Sequence, residues 1–425
     1  MRILVIGGGG REHTLAWKLA MSPCVEKVYC IPGNPGISKV AECVEIDISD
    51  NQALLEFAQS NKIGLTVVGP ELPLANGIVD VFTAKGLKIF GPTQAAAEIE
   101  GSKAFAKALM KKYNIPTASF EVFTDADKAR EYIRNQGAPL VVKADGLAAG
   151  KGVVVAMTIE EAIGAVDMIM RDQTFGLAGS RVVIEEYLTG EEASLLAFTD
   201  GFTIVPMVSA QDHKCIYDGD KGSNTGGMGT YAPAPIITKA MLEQIQLEVL
   251  QPAVDAMRAE GRLYCGCLYA GLMITDSGPK VIEFNARFGD PETQVVLPLL
   301  SSDLATVMEA CIDGKLSDIE VKWDDNAAVC VVLAAGGYPG GYAKGDVITG
   351  IENAEEVGAL VFHAGTAIKD NAIVTSGGRV LGVTATAKDI LSAVKKAYNA
   401  VQEIKFTDMH YRRDIAHRAI KKLNN

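Results

Sequence analysis

Short apolar runs alternate with helical segments along the first hundred residues. Residues 3–6, 27–31, 65–68 and 87–90 form apolar runs of strand length, and residues 15–20 carry the spacing of a helix. Strands and helices that alternate in this way are typical of a parallel sheet covered by helices. The pattern therefore predicts a parallel α/β domain in this part of the chain.

Three loops rich in glycine or proline follow these strands, at residues 7–13, 32–36 and 69–73. Loops at the carboxyl ends of parallel strands converge on one crevice, so we expect a ligand there. The first loop fails the dinucleotide fingerprint, because His13 stands where a third glycine is required. Glycines that open a helix still offer N–H groups to an anion, which favours a smaller phosphorylated ligand. A tight turn without a ligand is the alternative.

A period of two marks residues 281–287. Glu283, Asn285 and Arg287 alternate with apolar side chains, so on a strand the three polar groups share one face. Carboxylate and amide oxygens suit Mg²⁺, and a planar guanidinium suits phosphate. The pattern predicts a metal-nucleotide site with Glu283 and Asn285 as metal ligands. An exposed strand edge with ordinary polar alternation is the alternative.

Two lysines precede this strand. Lys103 begins a helical segment, and Lys143 lies in an apolar strand pattern, where its ammonium group requires an anionic partner such as phosphate. A lysine that reaches the surface is the alternative. Residues 145–152 then predict a flexible hairpin that can close over phosphates; they are not a Walker A loop, because no Ser or Thr follows the lysine. The candidate contacts in the hairpin are Gly150, Lys151 and Gly152.

An acid-rich connection separates two strand patterns within residues 181–194. Exposed backbone at such a place can pair with the edge of a purine, and carboxylates can accept hydrogen bonds from adenine or ribose. The nucleotide-binding candidates here are Glu185, Glu186, Leu188 and Glu192. A solvated acidic turn is the ordinary alternative.

Composition narrows the class of protein. The chain has 425 residues, of which 48% are hydrophobic and 22% charged, and its formal net charge is −12. Such a charge is a poor match for nucleic acid, which binds clustered Lys and Arg. We interpret the basic residues between Arg412 and Lys422 as a solvated helix face. No apolar run predicts a signal peptide or a membrane span, and the eight scattered cysteines fit reduced thiols, so we expect a cytoplasmic protein with no membrane partner.

The order of these features resembles the ATP-grasp superfamily, and nearly the whole chain resembles the phosphoribosylamine–glycine ligase family. The sequences that carry the closer likeness are residues 7–13, 34–36, 69–71, 212–214, 224–233, 286–292, 335–341 and 376–382. One departure from the superfamily is Tyr269, which stands on the preceding strand where many members carry another metal-binding acid. The resemblance thus leaves Glu283 and Asn285 as the main protein ligands.

The resemblance implies a fold and a reaction. The α/β fold would comprise a Rossmann-like substrate-binding domain at 1–101, an ATP-grasp region at 102–327 with a mobile lid at about 121–191, and a small β-rich domain at 328–425. The reaction would join glycine to 5-phosphoribosylamine in purine biosynthesis, with ATP and Mg²⁺ or Mn²⁺. Glycyl phosphate is the expected intermediate, because a carboxylate acylates an amine only once its oxygen becomes a leaving group. We expect a monomer or a weak homodimer.

The resemblance also implies residue roles. The expected catalytic residues are Lys143, Asp212, Arg287 and Asp290. Nucleotide contacts are expected from Lys103 and from the lid residues named above. The expected substrate contacts are Gly8, Gly9, Gly10, Asn34, Pro35, Gly36, Glu71, Asp212, Lys214, Gly226, Gly227, Met228, Arg287, Glu292 and Arg379. Two other classes stay open: another ATP-grasp enzyme, such as a purine-pathway or biotin-dependent carboxylase component, and a non-catalytic nucleotide-binding module.

Overall fold

A computed structural model describes residues 1–148 and 152–423. Its N-terminal part is a parallel α/β sheet with the order β3-β2-β1-β4-β5. The elements are β1 Arg2–Gly7, α1 Gly10–Ala20, β2 Lys27–Pro32, β3 Glu42–Cys43, α2 Asn51–Ser60, β4 Leu65–Val68, α3 Glu71–Ala75, α4 Ile78–Thr83, β5 Ile89–Phe90 and α5 Gln94–Gly101. The parallel arrangement predicted from the apolar runs is confirmed, although β5 is shorter than its run.

The next part contains a small antiparallel sheet with the order β6-β9-β7-β8. Its elements are α6 Lys103–Lys112, β6 Phe120–Phe123, α7 Ala126–Gln136, β7 Leu140–Ala144, β8 Val153–Ala156, α8 Ile159–Val166 and β9 Val182–Glu186. Strands β7 and β8 pair directly, which confirms the hairpin predicted around residues 145–152. The sheet and helices α7 and α8 share an apolar cluster of their own, whereas α6 packs in the cluster of the N-terminal and central parts. We call the sheet with α7 and α8 the lid.

The central region also contains a second antiparallel sheet, with the strand order β11-β10-β16-β17. The elements are β10 Glu191–Thr199, β11 Ile204–Pro206, β12 Gln211–Asp212, β13 Cys215–Tyr217, β14 Lys221–Asn224, β15 Gly229–Ala232, α9 Lys239–Ile245, α10 Gln251–Ala259, β16 Gly266–Thr275, β17 Gly278–Asn285, α11 Thr293–Val296 and α12 Leu304–Ile312. Strand β17, which carries the predicted polar face, is at one edge of this sheet.

The C-terminal part is rich in strands. Its elements are β18 Ala327–Ala334, α13 Ile351–Glu356, β19 Leu360–His363, β20 Thr366–Lys369, β21 Ala372–Thr375, β22 Arg379–Ala387, α14 Ile390–Val401 and α15 His417–Leu423. Its main sheet has the order β12-β15-β18-β22-β19, so two strands from the central region complete it. The expected substrate segment at residues 224–233 is therefore tied to the C-terminal sheet as well as to the central region.

The apolar core explains why these elements hold together. Strand β1 is buried on both faces, with Ile3, Leu4, Val5 and Ile6 all 0% exposed, as expected when helices cover both sides of a parallel sheet. Polar N-caps begin helices α5 and α6. Ser102, for example, accepts a hydrogen bond from the backbone N–H of Phe105 at the start of α6. In the described part of the chain, every helix is too short or too polar to cross a membrane.

Candidate functional site

Strand β17 presents the polar face predicted from its sequence. It pairs with the antiparallel strand β16, which places Gly271 opposite Glu283 and Tyr269 opposite Asn285. Phe284, between the two candidate ligands, is 2% exposed and packs into the core. Glu283 and Asn285 therefore lie on the opposite face of the strand, beside a tyrosine on the neighbouring strand.

Glu283 is an acid without a close partner, since it makes no hydrogen bond or ion pair with a described residue. Burial alone would raise the pKa of its carboxyl, but surrounding cations lower that pKa overall. These cations are Lys214, Lys143, Lys103 and Arg287. An ionised carboxylate and the neighbouring amide oxygen of Asn285 form a donor set that fits a hard divalent cation.

Arg287 lies in the bend that follows β17, with its Nη2 3.4 Å from Asn285 Oδ1, and is held by two acids. Its Nη2 lies 3.1 Å from Glu100 Oε1, and its Nε lies 3.6 Å from Glu71 Oε2. Burial opposes ionisation of this guanidinium, yet Glu100 and Glu71 raise its pKa further above the usual value. Glu100 also accepts a 2.6 Å hydrogen bond from the N–H of Ala286. The acids thus fix the plane of a permanently charged guanidinium beside Asn285.

The predicted lysines lie on two elements, Lys103 at the start of α6 and Lys143 on β7. Lys143 is 3% exposed, and its Nζ lies 3.0 Å from Glu185 Oε1 and donates to the carbonyl of Ile282 at 3.1 Å. Lys103 donates to the carbonyl of Gly146 at 3.2 Å, at the start of the glycine hairpin. The backbone before Glu283 and the hairpin before residue 149 are therefore each held by one lysine.

The acidic connection between β9 and β10 divides by burial. Glu185 is 3% exposed, while Glu186 is half-buried and pairs with Lys280 at 3.3 Å. Glu192 pairs with Lys214 at 3.2 Å, and Leu188 is half-buried between the two strands. Gly150 and Lys151 lie outside the described residues. Gly152 is packed closely, because a Cβ there would lie 2.7 Å from the Cβ of Ala148.

A second acidic group lies beyond Lys214. Tyr269 donates to Glu292 Oε1 at 2.8 Å, and Ser194 reaches the same oxygen at 3.2 Å. Asp212 is 9% exposed, and burial raises its pKa to about 7, with Glu292 adding to the increase and Lys214 opposing it. Two buried carboxylates with this mutual repulsion form an environment that favours a cation.

The N-terminal loops meet residues from the rest of the chain. The N–H of Gly9 donates to Glu12 Oε2 at 2.7 Å, and a Cβ on Gly9 would lie 3.6 Å from Asp290 Oδ2. A Cβ on Gly8 would lie 2.5 Å from the carbonyl oxygen of Gly33. The closely packed glycine loop thus lies beside Asp290.

The side chain of Asn34 is fully used inside the protein. Its Oδ1 accepts from the N–H groups of Gly36 and Ile37, and its Nδ2 donates to the carbonyls of Gly8 and His363, each at 2.9 Å. Only the backbone of Asn34 is left to contact a ligand. Its side chain instead ties the second loop to the glycine loop and to β19.

Arg379 joins the C-terminal part to the same region. It pairs with Asp290 at 3.2 Å and donates to the carbonyl of Gly226. Burial would raise the pKa of Asp290, but Arg379 is the main cation that lowers it overall. Gly227 lies beside Pro291, whereas the Met228 side chain is fully buried in an apolar cluster. The backbone of Met228 is also engaged within the protein, because its N–H donates to the carbonyl of His213 at 2.8 Å and its carbonyl accepts from the N–H of Val332 at 3.1 Å.

A cavity of about 560 Å³ lies elsewhere on the surface, between the β13–β14 hairpin and the loops at 336–340 and 408–410. It contains none of the site residues expected from the sequence. Its link to the site is Tyr338, whose hydroxyl accepts from the N–H of Gly226 at 3.0 Å. The site described above is a set of charged side chains at the junction of three sheets, separate from this cavity.

The interpretation of the basic C-terminal residues as a solvated face is wrong for Arg412. Its side chain is 0% exposed and contacts Asp414 and Asp220 at 2.8 and 2.9 Å. Arg418 pairs with the other oxygen of Asp220 at 2.7 Å. These residues form an ion cluster around a buried guanidinium: Asp414 lies two residues along the chain from Arg412, and Asp220 comes from the distant β13–β14 hairpin.

Comparison with known proteins shows the family to which the chain belongs. The family models for the N domain, the ATP-grasp (A) domain and the C domain of phosphoribosylglycinamide synthetase match residues 1–100, 101–293 and 328–418. The chain belongs to this family. It is 56% identical over 420 residues to the phosphoribosylamine–glycine ligase of Halalkalibacterium halodurans, covering 99% of this chain and 97% of that protein. The family resemblance inferred from the motifs is confirmed.

Solved structures agree with the family assignment. The phosphoribosylamine–glycine ligase of Thermotoga maritima is 36% identical, with a TM-score of 0.84, and the match covers 98% of this chain and 100% of that one. The biotin carboxylase domain of the 2-oxoglutarate carboxylase from Hydrogenobacter thermophilus is 17% identical, with a TM-score of 0.72 and coverage of 96% and 91%. At that identity the second likeness shows the fold alone, and the chain is a phosphoribosylglycinamide synthetase family member with an ATP-grasp fold.

Three residues of the site were missed by sequence reasoning. Glu100 lies at the end of α5, Arg11 lies in α1, and Lys107 lies in α6. Each is a charged side chain that is less than 10% exposed. Their signal in the sequence is faint: a charged residue on the otherwise apolar face of a helix, which periodicity alone assigns to the surface.

Proposed function

We propose that the chain ligates glycine to 5-phosphoribosylamine, giving glycinamide ribonucleotide, ADP and phosphate. The family assignment and the 56% identity to a phosphoribosylamine–glycine ligase support this reaction. The observation in the structure that carries it is Glu283, an ionised carboxylate among four cations that makes no ion pair with any residue in 1–148 or 152–423. This arrangement suits a nucleoside triphosphate with its divalent cation, because the phosphates would bind the cationic side chains and the metal would bind the carboxylate.

ATP with Mg²⁺ or Mn²⁺ is the proposed cofactor pair. Glu283 and Asn285 would hold the cation, which supplies charge neutralisation for phosphoryl transfer. Lys103 and Lys143 would bind phosphate oxygens, with the glycine hairpin above them. The backbone at Leu188 and the acids of the β9–β10 connection would face the base and ribose. The proposed metal is limited to these two oxygen ligands from the protein, with phosphates and water completing its coordination.

The chemistry requires a better leaving group on glycine. Attack of a glycine carboxylate oxygen on the γ-phosphorus breaks the bond to ADP and gives glycyl phosphate; the amine of phosphoribosylamine then attacks the acyl carbon and expels phosphate. Arg287 is positioned by Glu71 and Glu100 to stabilise negative charge on the acyl phosphate. No protein nucleophile is needed in this scheme, since the phosphate itself is the leaving group.

The remaining groups support places for the two acceptor substrates. Asp212 and Glu292, two buried acids, would bind the ammonium group of glycine, and Lys214 would stay paired with Glu192 at the edge of that pocket. The glycine loop at the start of α1 and the guanidinium of Arg379 would bind the phosphate of phosphoribosylamine. Asp290, beside both, would orient the incoming amine.

We propose the domain limits given by the sequence: 1–101, 102–327 with a lid at about 121–191, and 328–425. The separate apolar cluster of the lid supports its movement as a unit. The third domain would move together with the substrate segment at 224–233, and the pairing of β12 and β15 with the C-terminal strands supports this. A monomer or weak homodimer is the proposed state in solution, which sedimentation equilibrium over a range of concentrations tests.

The test of the function is ADP release measured in a coupled assay, with each substrate omitted in turn. We expect release only when glycine, phosphoribosylamine and a divalent cation are all present. Release that depends on bicarbonate and biotin, and not on glycine, would assign the chain to the carboxylase class. Tight ATP binding without release under any combination would identify a non-catalytic nucleotide-binding module.

A further inference from the structure

His213 is a buried histidine to which the proposed reaction assigns no task, although its neighbours Asp212 and Lys214 are expected substrate contacts. The residue is 0% exposed. Its ring Nε2 lies 3.3 Å from the backbone nitrogen of Ala416, and its ring Nδ1 lies 3.2 Å from the carbonyl oxygen of Gly229. A backbone N–H can only donate and a carbonyl can only accept, so Nε2 is unprotonated and Nδ1 carries the hydrogen. The ring is therefore neutral and bonded on both sides.

Ala416 has an unusual backbone conformation at the point where His213 holds it. Its φ is +70°, in the left-handed region that residues with a Cβ rarely adopt, and it is 0% exposed. Helix α15 begins at the next residue, His417, whose ring centroid lies 5.4 Å from that of His213. A strained conformation of this kind persists only where its surroundings fix it. His213 thus supplies one of the contacts that determine how the chain enters α15.

Helix α15 brings two cations back to residues 212–214 and to the start of β10. Arg418 Nη1 lies 3.5 Å from the carbonyl oxygen of Asp212, and Lys422 Nζ lies 3.4 Å from Glu191 Oε1. The charge of Arg418 also acts on the Asp212 carboxyl, where it opposes the effect of burial. The position of α15 therefore sets part of the electrostatic environment of Asp212, the acid that we propose binds the ammonium group of glycine.

The other partner of Arg418 ties α15 to the β13–β14 hairpin and not to residues 212–214. Its Nη2 pairs with Asp220 Oδ2 at 2.7 Å, and the two side chains are 25% and 31% exposed. Ion pairs that water reaches in this way contribute little to fixing a position. The contact between His213 and Ala416 is fully buried, and it joins residues 212–214 directly to the entry of α15.

We propose that His213 is a positioning residue for glycine binding: by accepting the N–H of Ala416 it fixes the start of α15, so that Arg418 is held beside Asp212. The inference rests on the proposed glycine site at Asp212 and Glu292 and adds the element that sets its charge. Loss of the ring acceptor frees Ala416 from its left-handed conformation, and Arg418 moves away from Asp212. The Asp212 carboxyl then ionises at higher pH, and glycine binds more weakly near pH 7.

The Asp212 carboxyl is influenced by several groups, of which α15 supplies one. Burial is the largest influence and raises its pKa to about 7. The charged or titratable groups that face it are Lys214, Glu292, Glu192, Arg418 and Tyr269. Of these groups, Arg418 lies on α15, and it lowers the pKa of Asp212. A displaced α15 should therefore shift this titration upward and leave the other contributions in place.

The experiment compares His213→Leu with His213→Gln, whose amide oxygen replaces Nε2 as the acceptor for Ala416. For His213→Leu we expect the midpoint of the pH profile of kcat/KM for glycine to rise by about one unit, and the KM for glycine at pH 7 to rise about fivefold as the ionised fraction of Asp212 falls. The KM for ATP should stay within about twofold of wild type. His213→Gln should lie close to wild type. Arg412→Met is the control for lost stability, and its profile should not move.

A folded His213→Leu protein with the wild-type pH profile and KM for glycine would overturn the inference, and so would equal increases in the KM values for glycine and ATP. If this variant does not fold, Arg418→Gln replaces it, because it removes the charge that α15 brings to Asp212; an unshifted profile in Arg418→Gln would also overturn the inference. NMR of protein labelled with ¹³C-aspartate, with Asp212→Asn to assign the signal, measures the titration without turnover. Failure of the wild type to ligate glycine would contradict the proposed reaction, whereas an unshifted Asp212 titration in His213→Leu would contradict the role of His213.

Discussion

Two groups of buried charges in this protein look alike in composition and differ in how the charges meet. In the C-terminal ion cluster, formed by Arg412, Arg418, Asp220 and Asp414, every side chain contacts an opposite charge within 3 Å. In the β17 cluster, formed by Glu283, Asn285, Arg287, Lys103 and Lys143, the central carboxylate has cations around it, and none in the described part of the chain forms an ion pair with it. We call the first cluster complete, because each of its charges has a direct partner, and the second incomplete, because its central carboxylate has none among the described residues.

The difference indicates what each cluster does. A buried charge whose partner is removed costs several kcal/mol, so a complete cluster holds the chain in one arrangement. An incomplete cluster keeps part of its electrostatic energy for a ligand that carries the missing charges. On this argument the C-terminal ion cluster stabilises the fold, and the β17 cluster binds the nucleotide and its metal.

The largest effect that we expect is on stability, from Arg412→Met. This change removes the one buried member of the cluster and leaves the partly exposed Asp414 and Asp220 with fewer partners, and it should lower the free energy of unfolding by about 2 kcal/mol. Urea unfolding followed by circular dichroism measures the change, with Arg413→Met, an exposed neighbour, as the control. Activity per folded molecule should not change. An Arg412→Met protein as stable as its control would remove the basis for calling this cluster structural.

Glu283→Gln should have the opposite profile. The loss of a charged metal ligand should reduce turnover at least about tenfold, more than about 1.4 kcal/mol of transition-state stabilisation, and should leave unfolding almost unchanged. Steady-state ADP release over a titration of Mg²⁺ measures it, with Glu243→Gln on the exposed side of α9 as the matched control. Wild-type turnover at saturating Mg²⁺ would show that Glu283 is not a ligand.

Gly9→Val tests the proposed phosphate site at the start of α1, which is separate from both charge clusters. The added side chain would enter the space between Glu12 and Asp290 and block a phosphate at the start of α1, so the KM for phosphoribosylamine should rise by about tenfold or less. ATP affinity, measured by calorimetry, should stay near the wild-type value. Gly164→Val is the control, because its Cβ position is open. A large loss of ATP binding in folded Gly9→Val would show that the nucleotide binds at the start of α1, which contradicts the proposed ATP site.

The smallest effect concerns pH. Burial raises the pKa of Asp212 to about 7, so its carboxylate becomes available to an ammonium group only as the pH rises through 7. We expect kcat/KM for glycine to increase roughly fourfold between pH 6.5 and pH 8. The stability linkage has the reverse sign: the folded state holds this proton between about pH 4 and pH 7, so stability contributed by the group is lost as pH rises through that range.

The variant Asp212→Asn tests whether this titration belongs to Asp212. Its unfolding free energy should lack the decline that Asp212 contributes across this pH range, which thermal unfolding in a series of buffers measures. An identical decline in wild type and variant would assign the titration to another group.

The sequence was sufficient for the elements whose signal is local. The alternation of Glu283, Asn285 and Arg287 with apolar neighbours is a property of seven consecutive residues, and the structure has the predicted strand through Asn285, with Arg287 in the bend beyond its end. The parallel N-terminal sheet and the β7–β8 hairpin were predicted for the same reason. Local patterns are set by backbone geometry, which neighbouring residues determine.

The residues that sequence reasoning missed depend on partners far along the chain. Glu100 contacts the backbone of Ala286 across 186 positions, and Arg412 meets Asp220 across 192. Periodicity gives no information about such pairs, so a buried arginine in a basic segment was interpreted as solvated. The expected roles of Asp212 and Asp290 stay predictions for the same reason, since they depend on where a substrate binds.

The most direct test of the account follows oxygen from one substrate to one product. Glycine labelled with ¹⁸O in its carboxylate is turned over with ATP and phosphoribosylamine, and the inorganic phosphate is analysed by mass spectrometry. If the β17 cluster transfers the γ-phosphoryl group to glycine, one labelled oxygen from each glycine consumed appears in phosphate. If all of the label stays in the amide product and the remaining glycine, glycyl phosphate is not formed and the central claim is wrong.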